Sequence, residues 1–323
     1  MMQFAKPKVV VSKCLEFENV RYNGEVIPDK VVERLAPFVH FIPVCPEVEI
    51  GLGVPRDIIR IVQYGEEQRL MQPSTEKDLT EEMIHFSKQF IGALPEVDGF
   101  LLKNRSPTCG PQDVKVYPKI EKSPVIGKTK GVFAQEVYDH FPGLAIEEEG
   151  RLKNFKIREH YFTKLFTLAA FREVKQQPSM QKLVEFHAVN KYLFMSYNQT
   201  TLKEMGRIIA NHDQLNLSEV LSKYEERLHW MLRRLPSRRS NVNVCQHIVG
   251  YFKKELSKAE KEYFEAELKK YYDEKLPLSA ILNILKTWVV RFQNEYLMKQ
   301  RYFQPYPEEL IEISDSGKGR AYA

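Results

Sequence analysis

The pattern of apolar residues changes near Gly150, and this change constrains the fold of the 323-residue chain more than any other feature. Before Gly150, short apolar runs predict strands at residues 8–11, 40–44 and 97–102, and an amphipathic segment predicts a helix at 79–94. This alternation favours an α/β domain with a parallel, Rossmann-like sheet and helices packed on its faces. After Gly150, glycine is rare and the periodicity is helical nearly throughout, which predicts an all-α domain.

The same change predicts how the chain is divided. Loop signals at Pro142 and Gly143, together with the acidic run that ends at Gly150, indicate a connecting segment. Chain ends without apolar periodicity are typically disordered. We therefore expect four parts, which are an α/β domain at 1–145, a linker and connecting helix at 146–175, a helical domain at 176–312 and a disordered tail at 313–323.

Composition excludes several classes of protein. An apolar content of 43% and a charged content of 28% are typical of a soluble globular protein. No apolar run approaches the roughly 20 residues that span a bilayer, and the N-terminal residues lack the apolar core of a signal peptide. Four widely spaced cysteines do not form the disulfide framework of a small secreted domain. We expect a cytoplasmic protein with reduced thiols.

The net charge of +5 is unevenly distributed. The first 150 residues hold 18 Lys and Arg against 23 Asp and Glu, so the excess of positive charge lies entirely in the remainder. A polyanion such as nucleic acid would therefore be bound mainly by the helical domain. The alternative is a solvated, lysine-rich helical surface without a partner.

Three of the cysteines, Cys14, Cys45 and Cys109, each follow an apolar, strand-like run. Because the carboxyl ends of parallel strands meet at one edge of a sheet, we expect these thiols to share a crevice. Their spacing is too wide for the common zinc ribbons and fingers. Soft thiolates suit an iron–sulfur cluster, and three of them would leave one iron of a 4Fe-4S cubane open. The alternatives are packed, buried cysteines or a zinc site.

The three cysteines stand in the motifs Ser12-Lys13-Cys14-Leu15, the segment from Cys45-Pro46-Glu47 to Pro55-Arg56, and Lys103-Asn104-Arg105-Ser106-Pro107-Thr108-Cys109-Gly110. These motifs resemble those of the TudS-type desulfidases, which remove sulfur from thiouracil with a 4Fe-4S cluster held by three cysteines. The resemblance covers roughly residues 8–140 and implies that Cys14, Cys45 and Cys109 are the cluster ligands. It further implies that Glu47 is the catalytic carboxylate and that Ser106 lies near the substrate.

The helical half resembles the YbgA-type domain over about residues 180–312, on the segments 238–254 and 300–310. A desulfidase fused to this domain resembles RudS-like proteins, which implies 4-thiouridine in tRNA as the substrate.

Closely spaced cations in this half are predicted to contact RNA phosphates. These residues are Arg233, Arg234, Arg238, Arg239, Lys253 and Lys254. Nearby aromatic residues either stack on unpaired bases or form the core of the domain, and they are Tyr251, Phe252, Tyr302, Phe303 and Tyr306.

The prediction is a non-redox desulfidase that converts 4-thiouridine in tRNA to uridine and hydrosulfide. An open iron would polarise the C–S bond, while Glu47 deprotonates the attacking water and Ser106, or N–H groups near Gly110, donate to the substrate. Glu49 is an alternative to Glu47, and Arg56 either binds a substrate phosphate or braces its loop. Two other functions remain open, namely a desulfidase of free thiouracil or thionucleosides and a non-enzymatic iron–sulfur protein that binds RNA or senses redox state.

Overall fold

A computed structural model describes residues 2–316 of the chain. It divides into two compact units. The first, here called the N-terminal unit, comprises Ala5–Ala169 together with residues 309–316 of the described chain. The second, the helical unit, comprises residues 2–4 and Ala170–Glu308.

The N-terminal unit alternates strands and helices. Their bounds in chain order are β1 (Lys8–Ser12), α1 (Lys30–Leu35), β2 (His40–Val44), α2 (Pro46–Glu49), β3 (Arg60–Tyr64), β4 (Glu67–Gln72), β5 (Lys77–Asp78), α3 (Thr80–Ala93), β6 (Gly99–Leu102), β7 (Val114–Tyr117), β8 (Gly127–Thr129), α4 (Val132–His140), β9 (Ala145–Glu148) and α5 (Phe155–Gln176), of which α5 continues into the helical unit.

Four strands form a parallel sheet in the order β2-β1-β6-β9. The central strand β1 contributes Val9, Val10 and Val11, which are fully buried, as expected for a strand covered on both faces. The predicted parallel α/β domain is therefore confirmed. Because all four strands run the same way, the segments that follow β1, β2 and β6 leave the sheet at one edge.

A second, mixed sheet of five strands in the order β5-β4-β3-β7-β8 was not predicted. In it β3 pairs parallel with β7, whereas the β3–β4, β4–β5 and β7–β8 pairs are antiparallel. The strand β4 begins with Glu67-Gln68-Arg69, which are exposed, and only its second half is buried. A strand with so little apolar periodicity gives no clear signal in the sequence.

The segment predicted as linker and connecting helix, 146–175, holds most of β9, a short 3-10 turn at Arg151–Lys153 and nearly all of α5. The first residues of the predicted tail are hydrogen-bonded to it. The Arg158 guanidinium donates to the carbonyls of Glu312 and Ser314, and the Ser316 N–H donates to the carbonyl of Lys153. The rest of that tail, 317–323, lies outside the described residues.

The helical unit confirms the predicted all-α half. Its helices after α5 are α6 (Met180–Tyr197), α7 (Gln199–Ala210), α8 (Leu217–Met231), α9 (Arg238–Val249), α10 (Lys258–Tyr272), α11 (Leu278–Arg291) and α12 (Glu295–Met298). Side chains at the N-caps fix several helix starts. Ser257 and Glu260, for example, form a capping box at the start of α10. Within the described chain, no helix is both long and apolar enough to cross a membrane.

Candidate active site

The three cysteines that follow strands line one cavity of about 360 Å³ at the edge of the parallel sheet. Cys14 lies just after β1, Cys45 lies between β2 and α2, and Cys109 ends the loop that follows β6. Their side chains approach from three separate segments because the parallel strands deliver those segments to one edge. The volume is in the range of small-molecule sites.

The thiols of this cavity are in an environment that disfavours an uncompensated negative charge. Burial raises the pKa of each thiol, to about 12 for Cys14. The charge of Cys45 raises the pKa values of Cys14 and Cys109 further, so the three groups influence one another. A bound cation would offset this penalty, and metal binding would displace the thiol protons.

The chemistry of this donor set suits an iron–sulfur cluster. Among the described residues, no group of three or more His, Cys, Asp or Glu side chains is arranged to hold one metal ion. A zinc ion needs its thiolates within about 2.3 Å of one centre, whereas a cluster of several irons holds its ligands further apart. Three soft thiols line the shared cavity and are the donor type that such a cluster requires.

Glu47 lies in the first turn of α2 and lines the same cavity, whereas the exposed Glu49 does not. Arg56 holds its carboxylate, since Nε and Nη2 donate to Oε2 at 2.8 and 2.5 Å. The remaining Arg56 donors bind the carbonyls of Val20 and Gly53 at 2.9 and 3.0 Å. Of the two roles considered for Arg56, the structure therefore shows the bracing of its loop.

The other oxygen of the Glu47 carboxylate faces the loop that carries Cys109. Thr108 Oγ1 donates to Glu47 Oε1 at 2.7 Å, and Ser106 Oγ lies 3.5 Å from the same oxygen. Ser106 Oγ accepts the backbone N–H groups of Thr108 and Cys109 at 3.2 and 3.1 Å. The structure thus brings Glu47, Ser106 and the three cysteines together, and it adds Thr108 and Arg56, for which the sequence predicted no contact with Glu47.

Cations surround the opening of the cavity. Lys13 is paired with Glu18 at 2.8 Å, and Lys103 is paired with the carboxylate of Glu149. Arg105 is different because it is exposed and has no ion-pair partner within the described part of the chain. Its backbone adopts a left-handed φ of 55°, which is uncommon for a residue other than glycine.

The cations predicted to bind RNA lie near the end of α8, at the start of α9 and shortly after α9. Five of them, Arg233, Arg234, Arg239, Lys253 and Lys254, are exposed. The sixth, Arg238, is half-buried, pairs with Glu274 at 2.9 Å and donates to the carbonyl of Tyr271. Its charge is therefore partly neutralised, and the role of the whole set in RNA binding stays a prediction.

Most of the aromatic residues considered for base stacking are in the core of the helical unit. Phe252, Tyr302, Phe303 and Tyr306 are all buried, so their side chains serve packing. Tyr251 is the exception, with 43% of its surface exposed, and it stacks on Tyr296 with the ring centroids 6.1 Å apart. Only Tyr251 of this set therefore presents a ring to a ligand.

Comparison with known proteins gives matches for both halves. Residues 9–149 match the 2-thiouracil desulfurase family, and residues 191–307 match a family described as a protein of unknown function, DUF1722. The uncharacterized protein YbgA of Escherichia coli (strain K12) is 26% identical over 156 residues, which are 48% of this chain and 92% of YbgA. The solved structure of the 4Fe-4S-dependent thiouracil desulfidase TudS is 26% identical, with a TM-score of 0.38, and the match covers 46% of this chain and 93% of that one.

Proposed function

We propose that this chain, in which a 2-thiouracil desulfurase domain is fused to a YbgA-like DUF1722 domain, removes sulfur from 4-thiouridine in tRNA and releases uridine and hydrosulfide. The family matches confirm the predicted pairing of domains and the prediction of a desulfidase enzyme. The observation that carries the proposal is the shared cavity, which joins three thiols to a carboxylate braced by an arginine.

In this proposal Cys14, Cys45 and Cys109 hold a 4Fe-4S cluster. When bound, the cluster supplies a Lewis-acidic iron with an open position, which suits the soft sulfur of a thiocarbonyl group. The support from this chain is the chemistry of the donors, because two buried thiols and one half-buried thiol line one cavity, and burial raises the pKa of each.

Glu47 is the general base in this proposal. Its Oε1 accepts a proton from water as the water oxygen adds to C4 of the pyrimidine. That proton passes to the sulfur as the C–S bond breaks and hydrosulfide leaves, and the proton that remains on the new C4 oxygen passes to solvent as the carbonyl forms. Arg56 keeps the carboxylate in place through Oε2, so only Oε1 is available to the water. Ser106, whose Oγ accepts two backbone N–H groups, lines the cavity beside Glu47 and so lies near the substrate in this proposal.

A tRNA substrate is favoured over a free base by the positive charge around the site and on the helical unit. Arg105 is exposed at the cavity without an ion-pair partner in the described chain, which suits a phosphate beside the target nucleotide. In the helical unit, five exposed cations occupy the stretch between Arg233 and Lys254. Contacts of this kind add affinity that falls as salt increases.

A second candidate substrate is a free thiolated pyrimidine. The matched family is described as 2-thiouracil desulfurase, which names a free base. A cavity of about 360 Å³ also has a size suited to a small molecule. In that case the exposed cations would not affect turnover.

An assay with anaerobically prepared, cluster-loaded enzyme distinguishes between the two candidate substrates. Mass spectrometry of nucleosides from thiolated tRNA is expected to show loss of 4-thiouridine and gain of uridine, at a higher kcat/KM than for free 4-thiouracil. The Glu47→Gln variant should lose turnover while keeping its iron, and the Glu49→Gln variant should match the wild type. Arg105→Ala should raise KM for tRNA and leave the free base unaffected. Undiminished 4-thiouridine with the wild-type enzyme would refute the tRNA substrate.

A further inference from the structure

We propose that Thr108 is a positioning residue that fixes the Glu47 carboxylate so that a single acceptor site of Oε1 remains open toward the reacting water. The inference rests on the proposed function, because it assigns the geometry of the general base. Thr108 is fully buried, and its hydroxyl contacts Glu47.

The argument begins with the acceptor capacity of the carboxylate. Two carboxylate oxygens offer about four lone-pair sites. Arg56 occupies both sites of Oε2 through Nε and Nη2, and Thr108 Oγ1 occupies one site of Oε1 at 2.7 Å. Among residues 2–316, the one other hydrogen-bond contact of Oε1 is with Ser106 Oγ at 3.5 Å, which is too long for a strong hydrogen bond. One site on Oε1 is therefore left for water.

The direction of the hydrogen bonds follows from counting protons. A hydroxyl carries one proton, and Thr108 Oγ1 lies 2.7 Å from Glu47 Oε1 but 3.8 Å from Cys109 Sγ. The proton of Thr108 is therefore given to Glu47, because the shorter contact to a charged acceptor is the stronger hydrogen bond. Thr108 must then accept in its 2.9 Å contact with Ser106, so the Ser106 hydroxyl donates to Thr108. Ser106 in turn accepts two backbone N–H groups. The order is backbone to Ser106, Ser106 to Thr108, and Thr108 to Glu47, and such a chain is more rigid than its separate bonds.

The backbone of Thr108 is itself held firmly. The side chain is fully buried, and the carbonyl oxygen accepts the N–H of Ala134 at 3.1 Å. Gly131 packs so closely that an added Cβ would lie 2.3 Å from the same carbonyl oxygen. A hydroxyl on so rigid a support can set the orientation of a base with the precision that catalysis requires.

The test compares Thr108→Val, which keeps the shape but removes the hydroxyl, with Thr108→Ser, which keeps the hydroxyl. We expect kcat to fall about 10- to 100-fold in Thr108→Val, with KM, iron content and thermal midpoint close to wild type. Thr108→Ser should recover kcat to within about threefold of the wild type. Thr167→Val, a buried threonine on α5 outside the cavity, is the matched control and should leave kcat unchanged.

A crystal structure of Thr108→Val gives a readout that does not depend on turnover. We expect the contact between Arg56 and Glu47 Oε2 to remain. Glu47 Oε1, however, should no longer be held in one position. Wild-type kcat in Thr108→Val, or an unchanged Glu47 carboxylate in its crystal structure, would overturn the inference. Failure of the wild-type enzyme on every thiolated pyrimidine would instead refute the proposed function, and the crystal structure would still decide the role of Thr108.

Discussion

The buried carboxyl group of Glu148, at the end of β9, is predicted to make the N-terminal unit less stable as pH rises. Only 6% of Glu148 is exposed, and its Oε2 has no hydrogen-bond partner in the described structure. Burial, followed by the charges of Glu147 and Glu149, raises its pKa from 4.5 to about 7, while Arg151 opposes this rise. The folded chain therefore keeps this proton in a pH range where the unfolded chain has lost it.

The size of the effect follows from these two pKa values. Because the folded pKa is the higher one, the stabilising effect of the proton is complete below pH 4.5 and is lost as pH rises through about 7. The interval between the unfolded pKa of 4.5 and the folded pKa of about 7 corresponds to a loss of about 3 kcal/mol in the free energy of unfolding, since each pH unit is worth about 1.4 kcal/mol. Glu148→Gln replaces the carboxyl by a neutral amide of nearly the same shape and should remove this dependence.

Urea unfolding followed by circular dichroism at pH 5, 6, 7 and 8 tests this prediction. The wild type should lose about 3 kcal/mol relative to Glu148→Gln between the lowest and highest pH, and the variant should be the more stable protein at pH 8. Glu66→Gln, at an exposed glutamate of the same unit, should follow the wild type at every pH. Parallel pH profiles for the wild type and Glu148→Gln would refute the reasoning.

Two further predictions concern the supports of the candidate site. Arg56→Lys removes the pair of hydrogen bonds to Glu47 Oε2, because a lysine cannot replace a bidentate guanidinium. It should lower kcat about 10- to 100-fold in a steady-state desulfurisation assay. An unchanged kcat would contradict the role of Arg56 in holding Glu47. Gly131→Ala places a Cβ 2.3 Å from the carbonyl oxygen of Thr108 and should destabilise the protein by about 1–3 kcal/mol in urea unfolding. Gly127→Ala, where nothing lies within 4 Å of the added Cβ, is its control, and equal stability of these two variants would count against the packing argument.

The parallel sheet could be predicted because its strands are nearly continuous apolar runs, such as Val9-Val10-Val11, that precede the cysteines. The edge strand β9 could not, because Ala145-Ile146-Glu147-Glu148 has the acidic composition of a loop. Glu147 is buried with Arg151 as its ion-pair partner, whereas Glu148 is buried with Oε2 unpaired in the described structure. Pairing of that kind is not encoded in local periodicity.

Part of the candidate site could likewise be predicted from the sequence. The cysteines and Glu47 could be chosen because motif and strand position coincide, and the parallel topology then brings them to one cavity. The contacts of Thr108 and Arg56 with Glu47 depend on how two separate loops fold over each other. Their signal in the sequence is slight, since Thr108 is only the residue between the proline and cysteine of its motif.

The central claim is that Cys14, Cys45 and Cys109 together hold an iron–sulfur cluster in the cavity of Glu47. Iron and acid-labile sulfide per chain, measured after anaerobic reconstitution, test it most directly. The account predicts about four irons and four sulfides in the wild type, strong loss in serine variants of each of the three cysteines, and full retention in Cys245→Ser, whose thiol is buried in the helical unit. A wild type that binds no iron, or serine variants at all three positions that keep it in full, would contradict the account.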